Sequence, residues 1–111
     1  MNINPTVAAP EEAEIASRLA RVQALMQDQG LDYYLCHDPA NIFYLTNFAN
    51  FVHERPFILV VPARGEMTFL MPKLEENHVR LRSVGPLQFI NYFEFPAPAG
   101  AMWSDRLREI V

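Results

Sequence analysis

The sequence contains too little cysteine, lysine and glycine for several common kinds of functional site. It has one cysteine (Cys36), one lysine (Lys73) and four glycines among 111 residues. A single cysteine cannot form an internal disulfide bond, and its apolar neighbours predict a small buried side chain in a reducing compartment. The glycines are too widely separated to form a P-loop or a dinucleotide-binding fingerprint.

Clustered positive charge is also missing. Acidic residues outnumber basic ones by 13 to 9, for a net charge of −4, and the arginines are scattered. Nucleic acids and anionic membranes require concentrated positive charge, so we expect neither as a partner. No apolar run approaches the roughly 18–20 residues that cross a bilayer. Residues 1–10 lack the features of a signal peptide, and we expect a cytoplasmic protein.

What is present is the composition of a globular domain, with 50% hydrophobic and 20% charged residues. A chain of this length fits one domain. Residues 1–9 show no periodicity and predict a flexible arm. Pro10 predicts the start of a helix that ends at Gly30 in a left-handed conformation. The buried face of this helix is predicted by an apolar stripe of Ile15, Leu19, Val22, Leu25 and Met26.

Apolar segments and turn residues predict the remaining elements. Buried strands are expected at 33–36, 57–61, 67–71 and 87–92, with a hairpin turn at 62–66. Helices are expected from Pro39, capped by Asp38, from Lys73 to about Arg82, and from Asp105, capped by Ser104. Helices that alternate with buried strands predict an α/β fold, and the hairpin makes its sheet mixed.

No motif in the sequence predicts catalysis or metal binding. The three histidines, His37, His53 and His78, lie in none of the spacings typical of metal sites. Asp38 is better explained as a helix cap, and His78 is expected to be a partly buried helix residue. The segment 51–56 contains His53, Glu54 and Arg55 before a core strand. It is either a carboxylate-binding loop, because arginine forks onto carboxylates, or a solvated loop with a weak surface ion pair.

Several stretches taken together resemble the amino-terminal domain of the creatinase/prolidase family. They are R-L-x₆-M at 18–26, G-L-D at 30–32, P-x-N-x-x-Y-L-T-x-F at 39–48 and R-P-x-x-L-V-V-P-x-x-G-E at 55–66. The likeness runs from about residue 12 to 76 and continues more loosely to the end. No single piece is specific, but their order and spacing are. Asn47 stands where the family usually has glycine.

The resemblance implies a three-layer α/β domain, ribonuclease H-like, with a mixed sheet and helices on both faces. It also implies that catalysis belongs to a separate, following domain, whose two Asp, one His and two Glu hold two divalent ions (Mn, Co or Zn). No cofactor and no activity are expected for residues 10–111 alone. Family members are commonly homodimers in which this domain reaches the partner's active site. In creatinases, an aromatic residue and an arginine before the corresponding strand contact the substrate's carboxylate, and the resemblance matches Arg55 to the arginine and His53 approximately to the aromatic residue.

The predicted parent protein is therefore a metal-dependent Xaa-Pro dipeptidase or aminopeptidase acting on small peptides. The alternatives are a creatinase-like hydrolase of small amides, favoured by the 53–55 loop and the 92–103 region, and a stand-alone binding or dimerisation module. An independent small enzyme would need a nucleophile or metal site that the sequence does not contain. The last predicted helix reaches Val111 without a stop signal, which predicts truncation within the domain.

Overall fold

The computed structural model describes residues 10–49, 55–93 and 99–111. Its elements in chain order are α1 (Glu12–Gln29), β1 (Tyr33–Cys36), α2 (Pro39–Thr46), β2 (Ile58–Pro62), β3 (Met67–Pro72), a 3₁₀ turn (Lys73–Glu75), α3 (Glu76–Arg82), β4 (Leu87–Tyr92) and α4 (Trp103–Ile110). This order matches the sequence prediction. The predicted flexible arm at 1–9 lies outside the described residues.

Helix α1 lies on the sheet through its apolar stripe. Ile15, Leu19 and Met26 are buried, and the backbone N–H of Gly30, at φ 70°, donates to the carbonyl of Gln27 and ends the helix as predicted. The predicted width of the stripe is wrong at Leu25, which is 62% exposed. This side chain lies at the margin of the stripe, where the helix surface turns away from the sheet. The helix begins at Glu12, two residues after Pro10.

The sheet is mixed, with the strand order β1-β2-β3-β4. β1 and β3 both pair antiparallel with β2, and β4 runs parallel to β3. β2 is buried along its first four residues, as its unbroken apolar sequence predicts. The prediction that β1 is also buried is wrong. Because β1 is an edge strand, Tyr33 and Leu35 remain 45% and 46% exposed, and only Cys36 is buried.

The short helices start and end with identifiable side-chain contacts. The Asp38 carboxylate accepts a 3.1 Å hydrogen bond from the backbone N–H of Asn41, which confirms the predicted cap of α2. The predicted cap of α4 by Ser104 is wrong. α4 begins at Trp103, and the N–H of Met102 instead donates to the carboxylate of Asp105 at 3.2 Å. Asp105 therefore lies in the first turn of α4, and its carboxylate accepts a hydrogen bond from a backbone N–H that precedes the helix.

Helices cover both faces of the sheet and divide the core into two parts. The larger part joins α1, α2 and α3 to one face, around Phe69, Leu59 and Val61. The smaller part lies on the other face, where Leu107 and Ile110 of α4 pack against Leu70 and neighbouring residues. The structure therefore confirms the predicted α/β fold with a mixed sheet and helices on both faces. In the described part of the chain, no helix is long and apolar enough to span a membrane.

Candidate functional site at the entrance to β2

The beginning of β2 lies beside the ends of the other three strands. The pairing of Leu59 with Cys36, and of Ile58 with Leu70, places the ends of β1 and β3 next to the first residues of β2. β4 ends at the same level, because Tyr92 pairs with Pro72. The carboxyl ends of parallel strands are where open α/β sheets commonly bind ligands. Arg55, which precedes β2, is therefore brought to a plausible binding edge.

A hydrogen bond from β4 to the segment before β2 positions the backbone next to Arg55. The hydroxyl of Tyr92, a side chain only 2% exposed, donates to the carbonyl of Pro56 at 3.0 Å. Arg55 itself is half-buried and already takes part in at least one interaction. A side chain at this position is thus held between solvent and the core. His53 and Glu54 lie outside the described residues, so the pocket-lining role of His53 and the alternative ion pair of Glu54 with Arg55 stay predictions.

A cavity of about 530 Å³ opens at the same end of the sheet, lined by Lys73, Leu74, Glu76, Asn77 and Phe93. The ammonium group of Lys73 lies 5.6 Å from the centre of the Phe93 ring. Leu74 is 81% exposed. A cation beside an aromatic ring and an exposed aliphatic side chain suits a ligand that combines an anionic group with an apolar body.

The carboxylate of Glu76 in this cavity is held by two donors. Asn91 Nδ2 donates to it at 2.7 Å and Arg80 Nε at 2.9 Å. The hydrogen bond from Asn91 and then the one from Arg80 lower the pKa of Glu76 below its usual range. Because these donors stabilise the ionised form, Glu76 is a poor proton donor at neutral pH. The geometry therefore supports binding here rather than general acid catalysis.

A second cavity lies between the ends of α2 and α3. It measures about 340 Å³ and is lined by Phe43, Asn47, Phe48, Ala49, His78 and Arg82. Sequence reasoning did not single out Arg82 or the cavity. The available signal was Asn47 in place of the usual glycine, since Asn47 adopts a left-handed conformation with φ 68°. This backbone turn ends α2 and brings the following residues toward α3.

The remaining candidate residues do not gather into a reactive site. His37 is exposed between β1 and α2, and His78 is more exposed than predicted, although its ring contacts Phe48 edge-on at 5.1 Å. Cys36 is buried as predicted, and this burial raises the pKa of its thiol. A hydrogen bond with Cys36 is the main reason that the pKa of Tyr34 is raised to about 12. Within the described ranges, no three His, Cys, Asp or Glu side chains are grouped so as to hold a metal ion.

Comparisons with known proteins place this geometry among related domains. The family model for the creatinase/prolidase N-terminal domain matches residues 18–110. An uncharacterized peptidase of Staphylococcus haemolyticus is 31% identical over 64 residues, which are 58% of this chain and 18% of that protein. The chain thus matches less than a fifth of the length of this curated relative.

Solved structures show the same fold. The creatinase/prolidase N-terminal domain of an X-Pro dipeptidase from Streptococcus pyogenes has a TM-score of 0.68 and 20% identity, covering 86% of this chain and 67% of that one. A dipeptidase from Pyrococcus horikoshii has a TM-score of 0.61 and 34% identity over 84% of this chain, but only 24% of that one is covered.

Proposed function

Because this chain belongs to the creatinase/prolidase N-terminal domain family, we propose that it is the non-catalytic domain of an Xaa-Pro peptidase-like metallohydrolase. In this proposal it supports a homodimer and contributes one wall of the substrate pocket of the partner subunit. The names of the structural relatives, an X-Pro dipeptidase and a dipeptidase, support small peptides as the substrates. The cytoplasmic location predicted from the sequence stays a prediction.

The observation that carries this proposal is the position of Arg55. It lies three residues before β2, whose first four residues are buried, and the Tyr92–Pro56 hydrogen bond holds the adjacent backbone at the edge of the sheet where the other three strands end. An arginine guanidinium binds a carboxylate through two parallel hydrogen bonds. We propose that Arg55 orients the carboxylate end of the substrate and that His53 lines the same pocket. A fixed backbone would reduce the entropy lost when the substrate binds.

The residues that the structure describes do not fit the two divalent metal ions expected of the family. Metal-assisted hydrolysis needs several carboxylate or imidazole ligands around each ion, and the described residues contain no group of three such side chains. We therefore propose that the metal ligands and the hydrolytic step belong to a separate domain. This chain would bind and orient the substrate, while the metals would activate the attacking water when bound there.

The proposal is tested by replacing Arg55 in the protein that carries both domains. Arg55→Ala is expected to raise the KM for an Xaa-Pro dipeptide at least tenfold, because a charge-assisted hydrogen bond is lost, and to leave kcat nearly unchanged. Arg55→Lys should restore the affinity only in part, because lysine cannot bind a carboxylate in the same forked geometry.

Arg64→Ala is the matched control. Arg64 is another arginine next to β2, but it is exposed and lies in the hairpin turn at the opposite end of the sheet. The KM of the Arg64→Ala variant should equal that of the wild type. An unchanged KM in Arg55→Ala, with normal folding, would return Arg55 to the role of a surface ion-pair residue. Cleavage of Gly-Pro by the 111-residue chain with added manganese would disprove its non-catalytic role.

The two alternative functions predict different results, one in substrate turnover and the other in self-association. If the parent is a creatinase-like hydrolase, small amides rather than Xaa-Pro dipeptides should be turned over. If the chain is a stand-alone module, it should dimerise without any attached hydrolase. Support for self-association comes from the exposed apolar side chains of the edge strand, Tyr33 and Leu35. Sedimentation velocity that shows only monomer at all concentrations would count against dimerisation through this domain.

A further inference from the structure

We propose that the cavity between the ends of α2 and α3 binds a small organic carboxylate with an apolar or aromatic body. This site shares no lining residue with the entrance to β2 and does not depend on the role proposed for Arg55. Its lining combines one guanidinium, one imidazole and two phenyl rings, from Arg82, His78, Phe43 and Phe48. Such a combination gives a pocket both a charge that fixes orientation and an apolar surface that gives affinity.

The guanidinium of Arg82 is available for a ligand. In residues 10–49, 55–93 and 99–111, no carboxylate forms an ion pair with it and no acceptor receives its side-chain hydrogen bonds. Other arginines on α1 and α3 already have partners. Arg80 pairs with Glu76 at 2.9 Å and lies over the Phe89 ring, and Arg18 pairs with Glu14 at 3.0 Å. Arg82 therefore keeps a full set of donors directed at solvent or at the cavity.

His78 places a second polar group, an imidazole, on the same side of the helix. It lies four residues before Arg82, and side chains at this spacing are neighbours on a helix surface. Its Nδ1 lies 3.6 Å from a carboxylate oxygen of Glu75, and its ring packs edge-on against Phe48. Within the described chain, Nε2 has no hydrogen-bond partner. The ring is thus held in place by two neighbours, with one nitrogen left for a ligand.

The apolar part of the cavity favours an organic acid over an inorganic anion. Phe43 is 48% exposed, although it is a large aromatic side chain, while Phe48 in the same lining is almost completely buried. Covering an exposed phenyl ring with an apolar ligand removes apolar surface from water. Phosphate could interact with Arg82 but would leave the ring of Phe43 exposed.

Backbone and side-chain hydrogen bonds hold the two helix ends together. Asn47 Nδ2 donates to the carbonyl of Arg82 at 3.3 Å, and the N–H of Val84 donates to the carbonyl of Thr46 at 2.8 Å. The Thr46 hydroxyl donates to the carbonyl of Ile42 and accepts from the N–H of Phe48. A cavity framed in this way is formed before a ligand arrives, which lowers the cost of binding.

These hydrogen bonds also reduce the electrostatic repulsion of an anion. Helix carboxyl ends carry partial negative charge on unpaired carbonyl groups. Here the carbonyls of Phe43, Thr46, Val79 and Arg82 each accept a hydrogen bond from outside the helical ladder or from its capping residue. The guanidinium of Arg82 therefore attracts an anionic ligand against a weaker opposing field from the helix ends.

The test is a titration of the 111-residue chain with benzoate, followed by ¹H–¹⁵N NMR. Benzamide, the neutral analogue of the same shape, and inorganic phosphate are titrated in parallel. We expect saturable shifts at the amides of Asn47, Phe48 and Ala49 with benzoate, and at least tenfold weaker binding of benzamide. Arg82→Gln should weaken benzoate binding at least tenfold, because a charge-assisted contact is removed.

Arg108→Gln is the control for the loss of one positive charge, because Arg108 is exposed on α4, which covers the opposite face of the sheet. It should bind benzoate like the wild type. Phe43→Ala should weaken benzoate binding without changing the charge of the cavity. The proposal is overturned if benzoate produces no saturable shift, if benzamide or phosphate binds as tightly as benzoate, or if Arg82→Gln binds like Arg108→Gln.

Discussion

Gly85 packs so closely against Ile15 that a side chain at position 85 would overlap it. A Cβ built on Gly85 falls within contact distance of the Cγ2 of Ile15 and lies 3.2 Å from its Cβ. Ile15 is completely buried in the main core. The turn before β4 therefore packs against the first buried residue of α1.

Gly85→Ala should destabilise the domain through both overlap and backbone strain, because Gly85 has φ 115°. Gly65→Ala is the matched control, since Gly65 also has a positive φ (95°) but has open space around its Cβ position. We expect Gly85→Ala to lower the free energy of unfolding by about 1–3 kcal/mol more than Gly65→Ala. Urea denaturation measures the difference, and equal losses would show that the contact with Ile15 relaxes freely.

Tyr92→Phe should weaken the attachment between β4 and the entrance to β2. It removes the donor that satisfies the carbonyl of Pro56, so we expect the free energy of unfolding to fall by about 1 kcal/mol. Tyr33→Phe is the control, because Tyr33 is exposed on the edge strand. In the protein that carries both domains, Tyr92→Phe should also raise KM in the direction of Arg55→Ala. A stability loss with unchanged KM would separate this hydrogen bond from substrate binding.

Asn47 should tolerate glycine better than alanine. Its φ of 68° is left-handed, which alanine adopts at a cost of roughly 1–2 kcal/mol. Glycine avoids that cost but, like alanine, loses the hydrogen bond from Asn47 Nδ2 to the carbonyl of Arg82. Asn47→Ala should therefore be less stable than Asn47→Gly, with thermal or urea unfolding as the measurement. The reverse order would mean that the left-handed turn is not kept in solution.

The lowered pKa of Glu76 predicts that the folded domain loses stability in acid. Its pKa in the folded domain is lowered by hydrogen bonds from Asn91 and Arg80. Ionised Glu76 therefore stabilises the folded domain at pH values above the pKa in the unfolded chain, about 4.3 for glutamate. This contribution disappears as the pH falls through the lower pKa in the folded domain. The stability difference between wild type and Glu76→Gln should be constant above about pH 5.5 and shrink below it.

Glu12→Gln is the control for that measurement, because Glu12 is exposed in the first turn of α1. Its stability difference from the wild type should not show the same decrease in acid. Parallel pH profiles for Glu76→Gln and the wild type would contradict the proposed coupling. Urea midpoints at a series of pH values provide the data for both variants.

Local sequence patterns predicted most helices and strands because neighbouring residues determine where these elements begin and end. Asp38 and Pro39 specify the start of α2, and the turn residues between β2 and β3 specify an antiparallel hairpin. Gly30 ends α1 in the conformation that glycine adopts most easily. The substrate-contacting roles of Arg55 and His53 came from family resemblance and stay predictions, since residue types alone also fitted a solvated loop.

The burial predictions were wrong where the exposure of a side chain depends on distant parts of the chain. Leu25 belongs to an apolar helix stripe but is exposed, and Leu35 belongs to an apolar strand that has a neighbour on one side only. The Asn47–Arg82 hydrogen bond joins residues 35 positions apart. Neither the position of a strand within a sheet nor such a long-range contact is encoded in a short sequence window.

The sequence by itself determined the order of helices and strands, the mixed sheet and the family to which the domain belongs. The elements and the mixed sheet follow from periodicity, caps and turns, which act over a few residues, and the family follows from the resemblance of ordered sequence motifs. Only the tertiary structure decided that β1 is an edge strand, that Tyr92 holds the segment beside Arg55, and that Arg82 and His78 share a cavity with two phenylalanines. Those relationships arise when strands pair and helices pack across the sheet, because only then do residues far apart in the chain become neighbours.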